Sequence, residues 1–172
     1  MSATATPEAA SRPPFQHFLD AQSRPVLAFL RSMVGHHDAE DCFQETFIAA
    51  LRAYDRMDGA HPRAWVMTIA RRKAIDHHRA RARRPEPRDH LPEPVAPANG
   101  AGGVGDLDGE VWAAVAELSE SQRTAVALRY AGDLAYREIA AILECSEDAA
   151  RRRVADGLRA LRQNIDREEA TR

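Results

Sequence analysis

The chain has 172 residues, of which 44% are hydrophobic and 29% charged, with a net charge of −2. That length suits one ordinary domain or two small ones with packed cores, and the balanced charge excludes a uniformly basic nucleic-acid coat. No apolar run approaches the roughly 20 residues that span a bilayer, and Cys42 and Cys145 lie too far apart for a zinc motif or a disulfide framework.

Residues 1–14, MSATATPEAASRPP, lack the basic and apolar regions of a secretion signal and read as a disordered tail. The cysteines read as buried thiols of a cytoplasmic protein. Charge is spread unevenly: residues 1–84 carry 13 basic and 9 acidic groups, residues 85–109 carry 1 and 5, and residues 110–172 carry 10 and 12. Lys73 is the single lysine among the 24 basic residues. That bias, with abundant alanine, fits a GC-rich genome and is not credited to phosphate chemistry alone.

The first block covers residues 15–84. Phe15, Phe18 and Leu19 open an apolar helical face that resumes at Val26, Leu27, Leu30 and Met33/Val34. Pro25 is expected to break or kink this helix, or to start its second half. Gly35 suits a C-terminal cap and Asp38 the N-cap of the next helix. That helix places Phe43, Phe47, Ala50/Leu51 and Tyr54 on one stripe, and positions 41, 44, 45 and 48 on another. A turn near Asp58-Gly59 leads to Pro62, favoured as a first helical residue, after which Trp65, Ile69 and Arg72/Asp76 share a face. From Arg71 to Arg84 there are seven basic residues against one acid, Asp76. An acidic helix followed by a basic one suggests a protein surface at one end and nucleic acid at the other, two binding surfaces placed back to back.

Residues 85–105 hold five of the ten prolines and four of the nine glycines. Such a segment cannot bury enough surface to offset its ordering entropy, so it reads as a flexible acidic tether. Fully extended, its 21 residues reach about 70 Å, enough for the flanking blocks to bind separated sites. The second block, 106–165, begins with Leu107, Val111, Val115 and Leu118 at helical spacing. Ser119-Glu-Ser-Gln122 matches a capping box before a helix through Val126 and Tyr130, which Gly132 ends. Residues 135–143 form a short helix with Ile139, Ala140 and Leu143 inward, followed by a turn at Glu144-Cys145. Ser146 caps a longer helix with Ala150, Val154, Leu158 and Leu161 inward, and residues 166–172 are a tail. Two helices joined by a short turn make a helix-turn-helix, with Arg151, Arg152 and Arg153 in the first turns of its second helix. The fold class is all-α: two small helical domains, an N-terminal bundle and a C-terminal helix-turn-helix, joined by a flexible linker.

Three segments carry a family resemblance. DAEDCFQETF is close to DAEDLVQETF, HPRAWVMTIARRKAID resembles PRAWLFTIARNRAID, and AYREIAAILECSEDAARRRVADGLRALR resembles a C-terminal helix-turn-helix, all as found in the extracytoplasmic-function sigma factors of bacterial RNA polymerase. The resemblance covers Phe15 to Arg84 and Val111 to Arg162. It implies a promoter-specificity subunit that makes no bond itself. Asp41, Gln44 and Glu45 would contact the coiled coil of the polymerase clamp, with Phe43 and Phe47 beneath them. The turn from Tyr54 to His61 would capture an unstacked base of the minus-ten element. Arg63, Arg71, Arg72 and Lys73 would neutralise phosphates of the opened strand, and Trp65 is either a core anchor or a stacking platform. Ser146, Arg151, Arg152 and Arg153 would address the minus-thirty-five duplex. Core RNA polymerase and promoter DNA are the implied partners, with a possible anti-sigma factor that occludes both domains.

The chain departs from the family at the turn, where Glu144 replaces a glycine at a cost of about 1 kcal/mol if the backbone is left-handed. Asp156 and Leu158 stand where basic residues are common, and Glu147 and Asp148 would repel nearby phosphates while suiting a helix N-terminus. The acids at Asp38, Glu40, Asp41 and Glu45 read as capping and protein-contact groups, with no Glu-x-x-His pair to suggest a metal. No nucleophile–base pair or phosphate loop appears, so no catalytic residue, cofactor or metal is expected. Two rival readings are a stand-alone helix-turn-helix regulator, for which no dimerisation helix is evident, and a sigma-derived interaction protein without promoter recognition.

Overall fold

A computed structural model describes residues 13–57, 59–83 and 114–171, with side chains through residue 167. Helix α1 spans Phe15–Ala53, a 3-10 turn follows at Tyr54–Arg56, and α2 spans Pro62–Arg83. After a helical turn at 114–116 come α3 (Glu120–Tyr130), α4 (Tyr136–Ile142) and α5 (Glu147–Thr171). Among the described residues there is no strand. The proposed tether at 85–105, with Leu107 and Val111, lies outside the described residues.

A straight helix of the length of α1, 39 residues, would separate its ends by about 58 Å. Yet the rings of Phe15 and Tyr54 stand 5.1 Å apart, edge to face. The chain folds back at Gly35, whose φ of 82° and ψ of 171° lie outside the helical region. That backbone conformation is open essentially to glycine alone, so the cap expected there becomes the hinge of a helical hairpin. Pro25 does not break the helix. It sits inside the helix, and the only non-helical angles in α1 are those of Gly35. The hairpin is closed by Phe15, Phe18, Phe47 and Tyr54, whose ring centroids lie 5.1–6.5 Å apart, and Tyr54 donates its hydroxyl to the Pro13 carbonyl at 2.7 Å.

Helix α2 starts at Pro62, the residue expected first, with the His61 carbonyl accepting from Trp65 N–H. Its buried face is Val66, Met67, Ala70 and Ala74, one position beyond the stripe expected through Trp65 and Ile69. The small alanines bring α2 close against α1. Cross-helix pairs from Asp38 to His77 and from Glu45 to Lys73 show that the second arm of α1 runs antiparallel to it.

In the second unit Ser119 caps α3, its Oγ accepting from Gln122 N–H. The helix ends at Gly132, where an added Cβ would lie 2.6 Å from the Leu128 carbonyl oxygen. Glu144 takes a left-handed φ of 51°, as the turn requires. Cys145 N–H reaches the Ala140 carbonyl and Glu144 N–H that of Ala141, a Schellman closure of α4. Ser146 Oγ then accepts from Ala149 N–H at 3.1 Å to cap α5. Leu158, expected inward, faces outward and is 40% exposed. Gly157 takes the place of Leu158 in the stripe with Ala150, Val154 and Leu161, because it lets α5 approach Val126.

The two units share a core. Phe29, Leu30, Val66 and Met67 of the first belong to the same buried cluster as Leu128, Leu134, Ile139 and Ile142 of the second. Each fully buried side chain of this size contributes about 1.5–3 kcal/mol of hydrophobic stabilisation before entropy is counted. A smaller cluster of Ala114, Val115, Leu118, Val126 and Leu161 closes the far side of the second unit.

Candidate functional site

The second arm of α1 is two-faced. Ala39, Cys42, Thr46, Phe47 and Ala50 are buried, whereas Asp41, Gln44, Glu45 and Ile48 are exposed along the opposite stripe. Phe43 is partly buried against Phe47, with ring centroids 4.7 Å apart. Leu51, expected inward, is 56% exposed and extends the outer stripe, because Ala50 fills the inward position. The outcome is an acidic and amide-bearing surface with an apolar margin, Ile48 and Leu51, resting on a rigid aromatic floor. Burial, with the neighbouring carboxylates of Glu45, Asp38 and Asp41, pushes the Cys42 thiol up to about 11, so it is protonated at neutral pH.

The basic face of α2 lies beside this acidic arm and is tied to it. Lys73 Nζ stands 3.1 Å from Glu45 Oε2. Asp38 Oδ2 receives His77 Nε2 at 3.1 Å and Arg81 Nη1 at 3.2 Å, so its carboxylate works as a cross-helix clamp. His78 Nε2 meets the Met33 carbonyl at 2.9 Å. The expected back-to-back surfaces are thus neighbours that share ion pairs. Trp65 is half-buried and packs against the core, its ring 5.7 Å from that of Phe18. Arg72 is exposed. Arg63 donates to Gln22 Oε1 at 3.2 Å and pairs with Asp133 Oδ2 at 3.6 Å, while Arg71 reaches the Ile142 carbonyl at 3.5 Å.

At the helix-turn-helix, Arg151 and Arg152 are exposed at the start of α5 and Arg153 is half-buried. Arg151 bonds Glu147 at 2.9 Å and lies over the Tyr136 ring at 5.0 Å, and Arg129 approaches the same ring at 5.4 Å. Glu147 therefore neutralises one of the arginines expected to meet phosphate. Asp156 is paired with Arg159 at 2.9 Å. Around Tyr136 opens a concave surface lined by Arg129, Asp133, Arg137, Glu138 and Glu147. Tyr136 was not singled out from the sequence, although an aromatic at the first position of a helix-turn-helix is a readable signal. The partners of Arg63 and Arg71 could not be read there, because Gln22, Asp133 and Ile142 are distant along the chain. Among the described residues no group of three His, Cys, Asp or Glu could hold a metal ion, and no helix is long and apolar enough to cross a membrane.

The surfaces map onto known families. Residues 18–84 match the model of Sigma-70 region 2, and residues 108–161 that of Sigma-70, region 4. The chain is 32% identical over 157 residues to the "Probable RNA polymerase sigma-C factor" of Mycobacterium bovis, covering 90% of this chain and 84% of that one. It is 32% identical over 164 residues to the "ECF RNA polymerase sigma factor RpoE" of Cereibacter sphaeroides, covering 92% and 87%. Among solved structures, the sigma factor RpoE in complex with the anti-sigma factor NepR from Bartonella quintana aligns with a TM-score of 0.76 at 27% identity, covering 88% of this chain and 96% of that one. The exposed arm of α1, the basic helix α2 and the helix-turn-helix all fall within these matched regions, in the same order. The chain belongs to the sigma-70 family and is an extracytoplasmic-function sigma factor of RNA polymerase.

Proposed function

We propose that this sigma factor docks on core RNA polymerase through Asp41, Gln44 and Glu45, holds the opened minus-ten strand with α2, and places the start of α5 in the minus-thirty-five major groove. The observation that carries this division of labour is the exposed stripe of Asp41, Gln44, Glu45 and Ile48 on an arm whose other face is buried. A partner can reach those side chains without disturbing the core. Arg63, Arg71, Arg72 and Lys73 would neutralise strand phosphates, with Trp65 supporting them from the core. Ser146 fixes the first turn of α5, from which Arg152 and Arg153 reach duplex DNA, with Arg151 joining them on release from Glu147. The protein acts as a non-catalytic initiation factor in the cytoplasm, and polymerase performs the chemistry. An anti-sigma protein is a further partner, supported by the likeness to a sigma factor solved with one.

Run-off transcription with core polymerase and a mapped promoter tests the reading, and initiation no better than with core alone would overturn it. The interface has its own test. Asp41→Arg places a cation on the exposed acidic stripe and is expected to abolish co-purification with core polymerase while leaving helicity and melting unchanged, since surface substitutions usually stay within about 0.5 kcal/mol. A variant that still co-purifies would show that the contact lies elsewhere.

A further inference from the structure

We propose that Gln22 is a positioning residue for promoter opening: its buried amide holds the Arg63 guanidinium in the orientation that receives a phosphate of the opened strand. The inference rests on the proposed assignment of Arg63 to that strand. Gln22 stands where packing alone would favour an apolar side chain. It lies four residues from both Phe18 and Val26 on the inward face of the first arm of α1, and all three are buried. The other buried polar residues among those described are Ser32, Thr46 and Thr124. Each donates its hydroxyl to a carbonyl three or four residues back in its own helix, that of Phe29, Cys42 or Glu120. Gln22 instead meets a different helix, its Oε1 accepting from Arg63 Nε at 3.2 Å.

Arg63 is the second residue of α2, whose first turn holds no acid, and the positive end of the helix dipole disfavours a cation there. Its own helix therefore supplies nothing to fix the side chain, and the amide from α1 does so. The Phe18 and Trp65 rings, 5.7 Å apart, pack the same arm of α1 against the first turn of α2, so both partners sit on rigid elements. With Nε bonded to Gln22, the end of the guanidinium fork, Nη1 and Nη2, remains to take two oxygens of one phosphate. The side chain is 37% exposed, and Nη1 already faces an anion, Asp133 Oδ2 at 3.6 Å. One edge of the fork is thus held by the core and another is turned towards charge. An arginine held in this way loses less rotamer freedom when phosphate binds, which strengthens the contact about two- to tenfold over an unheld side chain.

The test is a double-mutant cycle, read as the lifetime of the open complex that holoenzyme forms on a mapped promoter. Gln22→Met keeps the length of the side chain and removes the acceptor. It is expected to shorten the lifetime about two- to tenfold, with the melting midpoint and co-purification with core polymerase unchanged. Arg63→Ala is expected to shorten it at least as much, and Gln22→Met/Arg63→Ala no further. A glutamine that served packing alone would give the same loss with or without Arg63, and that result would overturn the proposal. So would a native lifetime for Gln22→Met beside a short one for Arg63→Ala. If Gln22→Met lowers the melting midpoint, Arg63→Lys takes its place, since it keeps the charge, lacks the Nε donor and leaves Gln22 in the core. Its lifetime is expected to fall by the same two- to tenfold, whereas a native lifetime would show that charge alone suffices. A native lifetime for Arg63→Ala would remove the strand assignment itself, a result distinct from any failure of Gln22 to act through it.

Discussion

At Gly157 the absence of one side chain sets how closely α5 approaches α3. A Cβ built there would lie 2.6 Å from Val126 Cγ2. Gly157→Leu is therefore expected to destabilise the second unit by about 1–3 kcal/mol through overpacking, read as a lower denaturant midpoint. The sequence spacing favoured Leu158 for this position, because steps of three and four are both compatible with a period of 3.6 residues. Only the approach of α3 chose between them. Cys42 gives a second test at this scale. Its pKa is raised, so the folded state favours the neutral thiol. Its contribution to stability is present below the unfolded thiol value and is lost as pH rises towards about 11. Alkylation of Cys42 at pH 8 is accordingly expected to follow unfolding, with labelling much slower than in denaturant, as mass spectrometry of the digested chain would show.

Among the elements, the helix ends were the most legible. Ser119, Pro62 and Ser146 begin helices where expected, because capping chemistry depends on neighbours within four residues. The turn at Glu144 follows the same logic with the wrong residue in place, a non-glycine at φ 51° closing a Schellman motif. Glu144→Gly should relieve about 1 kcal/mol of left-handed strain and raise the unfolding midpoint of the second unit. A decrease would show that the Glu144 side chain contributes more than its backbone costs. Pro25 was less legible. A proline lowers helix stability locally, but tertiary packing of Val26, Phe29 and Leu30 on the same arm holds the helix through it.

For the whole molecule, the balance between apolar and ionic contacts predicts how the packing of the two units responds to salt. Arg63–Asp133 and His61–Glu138 are partly exposed, whereas the shared cluster is buried. Raising salt from about 0.1 to 1 M shortens the screening length from about 10 to 3 Å and weakens the ion pairs only. The scattering radius of the free protein is expected to stay constant over that range. An expansion at high salt would mean that charge, and not apolar burial, holds the units together.

The sequence alone determined the helical class, the order of the two blocks and the caps, and it named the exposed residues proposed to meet polymerase and DNA. Those features are written in local spacing and in side chains that project outward. The pairing of Glu45 with Lys73, the clamp of Asp38 on His77 and Arg81, and the capture of Arg63 and Arg71 by the second unit were decided by tertiary structure. Each joins residues about 30 to 70 positions apart, whose distance is set by how α1 folds back at Gly35 and how the units share a core. No local pattern encodes such a distance.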